Sequence, residues 1–164
     1  TELAKQSVME LSRMLRYVLY DSSDSYTSLS KEVEFIENYI DLMRTRIIDD
    51  VEITLNTPDI TTCRKVMMPP LIIIVLVENA FKHGISYNKR SFIDINIAVD
   101  KDSLTCVVAN SRHSSHTTEH SGIGLNNMTK RLDLIFGKDY SLTIDNNSDD
   151  KYIVELVIPI NKQY

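Results

Sequence analysis

Four polar side chains follow directly on the most apolar stretch of the chain. Residues 71–77 are all aliphatic, and Glu78, Asn79, Lys82 and His83 lie just after them. On a helix, Asn79, Lys82 and His83 share one face, so an amide, an ammonium and an imidazole crowd one spot. Cations also suit the end of a helix dipole, which is an alternative explanation for Lys82 and His83. It does not explain Glu78 and Asn79, because an unpaired polar side chain beside a core costs on the order of 1–3 kcal/mol.

Two glycines, Gly122 and Gly124, lie where another helical pattern begins. Glycines at a helix start let backbone N–H groups approach an anion closely, and the helix dipole favours the negative charge. A G-x-G pattern alone is weak evidence for such a site. The helix itself is predicted from one apolar face and from Gly137 as its end. That face contains Leu125, Met128, Leu132 and Ile135.

The segment before these glycines, residues 110–121, contains three His, four Ser and no aliphatic side chain. A loop of this length in a compact domain is usually functional or mobile. His113, His116 and His120 suggest a metal site as an alternative, but they lack helical phase and a Cys partner, which disfavours it. We therefore expect a loop over residues 110–121.

Three helices are predicted before this loop. The central one carries the polar cluster, with Pro69 and Pro70 at its start and Gly84 at its end. The first helix ends near Tyr20 and has a bundle-like seam with 4-3-4-3 spacing, formed by Ala4, Val8, Leu11, Leu15 and Val18. The second is capped by Ser28 or Ser30. Its inner face is Ile36, Ile40, Met43 and Ile47, widened by Phe35 and Tyr39.

Alternation of apolar and polar residues predicts strands. They lie at residues 51–55, 93–99, 104–108, 142–144 and 152–158. The second and third of these form a hairpin, so we expect one mostly antiparallel sheet whose two faces are packed differently.

Composition excludes several classes of function. The chain has 164 residues, 43% hydrophobic, with a net charge of −5, and its 18 basic residues form no stripe, which argues against nucleic acid as a partner. The longest apolar run has seven residues, so no membrane contact is expected. Cys63 and Cys106 have no metal-binding spacing and are expected to be buried thiols in a reducing compartment. The opening at Thr1, already helical in pattern, indicates a fragment of a longer protein.

Several motifs together resemble one known family. V-E-N-A-F-K-H-G at 77–84 and S-G-I-G-L-N-N-M-T-K-R-L at 121–132 resemble the N box and the glycine-rich G box of the GHKL ATP-binding fold. Leu15-Arg16-Tyr17, Leu29 with Glu32, Asn38-Tyr39-Ile40, Arg46 and Met68-Pro69-Pro70-Leu71 extend the resemblance to LytS-type sensor histidine kinases. It implies a two-layer α/β sandwich of the GHKL (Bergerat) type after a helical-bundle remnant. The implied domains are the second dimerisation helix, 1–27, and an ATP-binding catalytic domain, 28–164.

The resemblance also implies the site. Asn79 would ligate Mg²⁺, Glu78 would be the catalytic carboxylate that polarises the attacking group, and Asn110 would accept a hydrogen bond from adenine. The implied ATP-binding set is Asn79, Lys82, His83, Asn110, Gly122, Gly124, Leu125 and Asn126, with Lys82 and His83 on phosphate and residues 110–121 as the lid. The implied function is transfer of the γ-phosphoryl group of Mg-ATP to a histidine and then to the receiver domain of a response regulator.

This chain departs from the family pattern at several positions. Asn110-Ser111-Arg112 replaces Asp-x-Gly, Ile74-Val75 replaces Gln-Pro, and Lys151-Tyr152 replaces Gly-Thr, so weak or regulated nucleotide binding is expected. No His has the H-F-x-x-N setting of the phosphoacceptor, which is expected upstream of this fragment.

Further expectations and alternatives follow from the resemblance. We expect a homodimer of the full-length protein and a cytoplasmic fragment, with the full-length protein anchored in the bacterial inner membrane. One alternative is a nucleotide-free regulatory or dimerisation module. The other, a GHKL-type ATPase or serine kinase, is disfavoured by the N-terminal helix pair.

Overall fold

The described residues form two compact units. The computed structural model describes residues 1–21, 24–47, 50–86, 89–113 and 122–162. The helical unit comprises Thr1–Ile48, Asp59–Ile74 and Asn161–Tyr164. The sheet unit comprises Asp49–Pro58 and Val75–Ile160.

Three helices make up most of the helical unit. They are α1 (Glu2–Arg16), α2 (Leu29–Arg44) and α3 (Ile60–Lys65). Thr1, Ser28 and Asp59 cap their N-termini through side-chain oxygens, as these residue types are suited to do. The predicted cap at Ser28 is confirmed, whereas α3 was not predicted because six residues are too few for a helical period to show.

Helix α1 packs on α2 through a face that apolar spacing did not predict. Glu10 and Tyr17 are buried there, and the ring of Tyr17 lies 5.0 Å from that of Phe35 of α2. The predicted seam is exposed instead, with Val8 63% and Leu15 51% accessible. Beyond Arg16 the chain continues as a π-helical turn, Tyr17–Asp21, so the predicted helix end near residue 20 is confirmed.

A three-stranded antiparallel sheet completes the helical unit. It consists of β1 (Thr27–Ser28), β3 (Val66–Met68) and β8 (Asn161–Lys162), in the order β1-β3-β8. These strands were not predicted, because two or three residues cannot show a period of two. Met68, at the end of β3, is fully buried.

The sheet unit is built on five strands in the order β2-β4-β5-β7-β6. They are β2 (Val51–Asn56), β4 (Ser91–Val99), β5 (Ser103–Ser111), β6 (Ser141–Asp145) and β7 (Lys151–Pro159). Every pair is antiparallel except β2–β4, so the predicted mostly antiparallel sheet is confirmed.

One face of this sheet is the core of the unit. Ile95, Cys106 and Leu156 are fully buried on it, at the centres of three neighbouring strands. The opposite face is more polar: Thr54 donates to Asp94 at 2.5 Å and Asn56 to Asn96 at 2.9 Å. The alternation of apolar and polar residues in the sequence therefore corresponds to a sheet with one buried face and one more polar face.

Two helices accompany this sheet. Helix α4 (Ile73–Gly84) belongs to the sheet unit from Val75 onward, and α5 (Ile123–Phe136) ends at Gly137, whose φ of 61° suits glycine. Helix α4 begins later than its prolines predicted, because Leu71 has a φ of 61° that interrupts a helix. Among the described helices, none combines the length and the apolar character that a membrane span needs.

Candidate nucleotide-binding site

The four predicted polar residues of α4 differ in their exposure to solvent. Val77, Ala80 and Phe81 enter the core, which fixes the rotation of the helix. Asn79, one turn before His83, is half-buried on the adjoining face, as His83 is. Glu78 and Lys82 are exposed and form no ion pair within 4.0 Å with any described residue. The polar cluster therefore lies along the edge of a buried helix, where its groups are accessible to a ligand.

The Asn79 side chain lies beside the Tyr152 hydroxyl of β7. Burial raises the pKa of the half-buried Tyr152 phenol, whereas interaction with the Asn79 side chain and the positive charge of Arg112 oppose that rise. Tyr152 is therefore a neighbour of Asn79 in the sheet unit.

The end of α4 approaches β5 closely. A Cβ atom placed on Gly84 would lie 2.7 Å from the Cβ of Asn110, which is closer than side chains tolerate. The Ser111 hydroxyl donates to the Gly84 carbonyl at 2.6 Å and accepts from the Phe92 N–H at 3.0 Å. Gly84 is therefore required by close packing of α4 on the sheet.

Asn110 is a strand residue, not the first residue of a loop. It is 1% exposed within β5, because the strand continues through Ser111, so the predicted loop begins later than residue 110. The Asn110 amide nitrogen donates to the Ser111 carbonyl at 2.9 Å. A carbonyl can only accept, so the assignment of nitrogen and oxygen in this amide is determined. The amide oxygen of Asn110 remains an acceptor.

His83 is placed so that burial affects its charge. Its Nε2 atom is buried and has no hydrogen-bond partner among the described residues. Burial lowers the pKa of the imidazole by penalising its charged form, and the neighbouring Lys82 lowers it further. His83 is thus disposed to be neutral near pH 7.

The predicted glycines lie at the start of α5. Gly122 is the N-cap and Gly124 is the second helical residue, and both are exposed. No side chain among the described residues caps this helix, so its first N–H groups point outward without a side-chain acceptor. A Cβ on Gly124 would make an ordinary contact, 3.7 Å from Val75, and packing therefore does not require glycine there. Leu125 is half-buried and Asn126 is exposed in the same first turn.

The site residues lie beside successive positions along α4. Gly124 lies at Val75 near its start, Tyr152 at Asn79, and Asn110 at Gly84, its last residue. Val75 and Gly84 are about 13 Å apart at the rise of an α-helix. The predicted site residues therefore line one helix, with an uncapped helix start at one end and the buried residue Asn110 at the other.

The structure describes only part of the loop that was predicted over residues 110–121. Residues 114–121 lie outside the described residues, and His116 and His120 with them. His113 is described, and its Nε2 lies 3.1 Å from the Ser91 hydroxyl. Among the described residues, no group of three or more His, Cys, Asp or Glu is arranged to hold a metal ion.

Two residues of the site were not predicted. Ser111 fastens β5 to the end of α4, and Tyr152 pairs with Asn110 across the sheet while its hydroxyl meets Asn79. Strand pairing would have found Tyr152, because residues paired across antiparallel strands lie on the same face. That pairing is not readable from one sequence.

Comparison with known proteins identifies the family that this chain resembles. The histidine kinase family model matches residues 1–51. The sensor histidine kinase/phosphatase LytS of Staphylococcus aureus strain MRSA252 is 30% identical over 90% of this chain. The resemblance to LytS-type sensor histidine kinases is confirmed. The chain spans 28% of the length of that LytS protein, so the activity of a whole LytS-type protein extends beyond what this segment shows.

Solved structures agree on the fold. The catalytic domain of the histidine kinase ThkA has a TM-score of 0.61 at 17% identity, covering 83% of this chain and 98% of that domain. Full-length ShkA, in a crystal structure with AMPPNP, has a TM-score of 0.61 at 15% identity, covering 96% of this chain and 36% of ShkA. The predicted fold class, the α/β fold of GHKL histidine kinase catalytic domains, is confirmed.

Proposed function

We propose that the sheet unit binds Mg-ATP along α4 and is the catalytic portion of a two-component sensor histidine kinase. The observation that carries the proposal is the placement of the Asn79 and Asn110 side chains and of the uncapped start of α5 along a single helix, α4. The AMPPNP bound by ShkA, which has the same fold, supports a nucleotide as the ligand.

The base of the nucleotide belongs at the Gly84 end. The Asn110 amide oxygen is an acceptor on a residue that is 1% exposed, and the exocyclic amino group of adenine is a donor. A base that donates to this oxygen gains a hydrogen bond worth about 0.5–1.5 kcal/mol. Adenine is therefore favoured over a base with a carbonyl at this position.

The phosphates belong at the α5 end. Outward-facing N–H groups at Gly122 and Gly124, and the dipole of α5, favour anionic oxygens. Leu125 and Asn126, in the first turn of α5, are proposed to complete these contacts. Lys82 and His83 lie within two residues of Gly84, at the other end of α4, so their predicted phosphate contacts stay a prediction.

The proposed reaction also needs a metal ion and a histidine that accepts the phosphoryl group. The amide oxygen of Asn79 is a hard ligand suited to Mg²⁺, which usually keeps waters and binds phosphate oxygens as well. When bound, Mg²⁺ neutralises charge on the phosphates during phosphoryl transfer. Glu78 is exposed one residue away and is proposed to polarise the attacking histidine.

Partners and location are proposals for the longer protein. The exposed seam of α1, with Leu11 48% and Leu15 51% accessible, supports a homodimer through this helix. A response regulator would receive the phosphoryl group in the cytoplasm, and the full-length protein would be anchored in the inner membrane. Leu11→Asp and Leu15→Asp should each abolish self-association measured by analytical ultracentrifugation. A dimer that survives both changes would place the seam elsewhere.

Calorimetric titration of this chain with AMPPNP, with and without Mg²⁺, tests nucleotide binding. We expect Mg²⁺ to tighten binding in the wild type and to have little effect on Asn79→Ala. Asn127→Ala is a matched control, because Asn127 is an exposed amide on α5 outside the proposed site. Absence of binding at millimolar AMPPNP in a folded chain, or an equal loss in both variants, would refute the assignment.

One observation favours a nucleotide-free regulatory module as the second candidate. Arg112, which replaces the glycine of the family pattern, donates to the carbonyls of Asn146 at 2.5 Å and Ser148 at 3.2 Å. Its own N–H donates to the Asp150 carbonyl at 2.8 Å. This tether restrains the chain where the lid begins. The same titration separates the two functions, because the regulatory module would not bind AMPPNP.

A further inference from the structure

A single buried carboxylate joins two distant segments of the helical unit. Glu32, in the first turn of α2, is 2% exposed. One of its carboxylate oxygens accepts a short hydrogen bond from the Tyr17 hydroxyl, and the other accepts from the Leu71 N–H at 2.6 Å. Tyr17 follows the last residue of α1, and Leu71 lies two residues before α4 begins. The carboxylate thus contacts the end of one helix and the entry to another.

The backbone is unusual at both contacts. Tyr17 opens the π-helical turn that ends the first helix, and such turns are rare and often functional. Leu71 has a φ of 61°, a conformation that a bulky residue without a special contact avoids. The hydrogen bond from the Leu71 N–H to Glu32 supplies such a contact, because it fixes the direction of that N–H.

We propose that Glu32 is a positioning residue that couples the end of α1 to the start of α4. A movement of α1 that displaces the Tyr17 hydroxyl would also shift the Glu32 carboxylate. Because the same carboxylate binds the Leu71 N–H, the backbone just before α4 would shift with it. Because α4 carries Asn79 and Lys82, this coupling gives α1 a route to the nucleotide site. The last step rests on the proposed function, whereas the coupling itself does not.

A purely structural role for Glu32 makes a different prediction. If each hydrogen bond only satisfied its own buried donor, removing the Tyr17 hydroxyl would leave the Leu71–Glu32 bond as it is. If the carboxylate couples the two, the loss of one bond changes the other. Tyr17→Phe discriminates between these cases, because it removes one hydroxyl and retains the ring that packs on Phe35.

The test is an amide measurement on this chain without nucleotide. In Tyr17→Phe we expect the Leu71 amide proton to shift and its hydrogen exchange to accelerate about tenfold, whereas the β4 and β5 amides keep their rates. Tyr140→Phe is the matched control, since it removes another tyrosine–carboxylate bond, to Asp133 at 2.6 Å, on an exposed part of the sheet unit. It should leave Leu71 unchanged.

A second variant keeps the test decisive if the first is unstable. Glu32→Gln retains one oxygen for the Leu71 N–H, and its amide nitrogen can donate to the Tyr17 oxygen, so the fold is preserved. The Leu71 proton should still shift, because a neutral acceptor binds it less strongly than a carboxylate. A Leu71 amide that is unaltered in Tyr17→Phe overturns the coupling, and one that is unaltered in Glu32→Gln overturns the Leu71–Glu32 hydrogen bond on which the coupling depends.

Titration with AMPPNP and Mg²⁺ then tests whether the coupling reaches the site. We expect Tyr17→Phe to change the Kd at least about fivefold, the lower range of coupling between sites, and Tyr140→Phe to leave it unchanged. A changed Leu71 amide with an unchanged Kd overturns the positioning role. If the wild type binds no AMPPNP, the proposed function and the positioning role both fail, while the amide result still decides whether Glu32 couples the two helices.

Discussion

Gly84→Ala tests the close approach of α4 to the sheet. The added Cβ would lie 2.7 Å from the Asn110 Cβ and 3.2 Å from its Cγ and Nδ2. Asn110 is 1% exposed and its amide is bound to the Ser111 carbonyl, so it cannot rotate away freely. Overpacking of this kind costs about 1–3 kcal/mol, from which up to about 1 kcal/mol of helix propensity is subtracted. We expect a net destabilisation of about 1–2 kcal/mol.

Urea unfolding followed by circular dichroism measures this loss. With a urea dependence of about 2 kcal/mol per molar, the midpoint should fall by roughly 0.5–1 M. Gly124→Ala is the control, because its Cβ would meet Val75 at an ordinary 3.7 Å and alanine favours the helix by about 0.5–1 kcal/mol. Its midpoint should rise.

A double-mutant cycle locates the clash. In an Asn110→Gly background the obstructing Cβ is absent, so Gly84→Ala should lose its penalty and the coupling energy should be about 1–2 kcal/mol. If Gly84→Ala unfolds at the wild-type urea concentration, or if its penalty persists without the Asn110 side chain, the packing argument is wrong.

Three other predictions concern single groups. Because burial depresses the pKa of His83 in the folded state, stability should fall as pH drops below about 6.5, and His83→Gln should show a flatter fall in urea unfolding between pH 7.5 and 5. Burial raises the pKa of the Cys106 thiol to about 12 and also raises that of Cys63, so neither should react with a disulfide reagent until the chain unfolds; rapid labelling of native protein would contradict this. Tyr152→Phe removes the hydroxyl beside Asn79 and should weaken Mg-AMPPNP binding up to about tenfold; tighter binding would show that the hydroxyl obstructs the site.

Element type was predictable wherever a period extends over enough residues. The strands around Ile95 and Cys106 alternate over nine residues each, and α5 has whole turns of apolar spacing. Helix α4 begins with an uninterrupted apolar run and was predicted instead from the prolines before it and from Gly84 at its end. The elements that escaped prediction are α3 and the short strands of the helical unit. The predicted start of α4 was wrong. The two prolines indicate a first turn, but the φ of 61° at Leu71 interrupts the helix there. That conformation is accompanied by a hydrogen bond to Glu32, 39 residues away in the sequence.

The roles of Asn79 and Asn110 needed the structure for a related reason. A sequence gives an amide but not which of its two ends is engaged, and only the oxygen can coordinate a metal or accept from adenine. For Asn110 the Ser111 carbonyl answers that question, because a carbonyl accepts only from the amide nitrogen. Substitution of the family's Asp by Asn at position 110 therefore keeps an acceptor oxygen at this position. What it loses is charge, so binding should be weaker than with a carboxylate but should keep its preference for a base that donates.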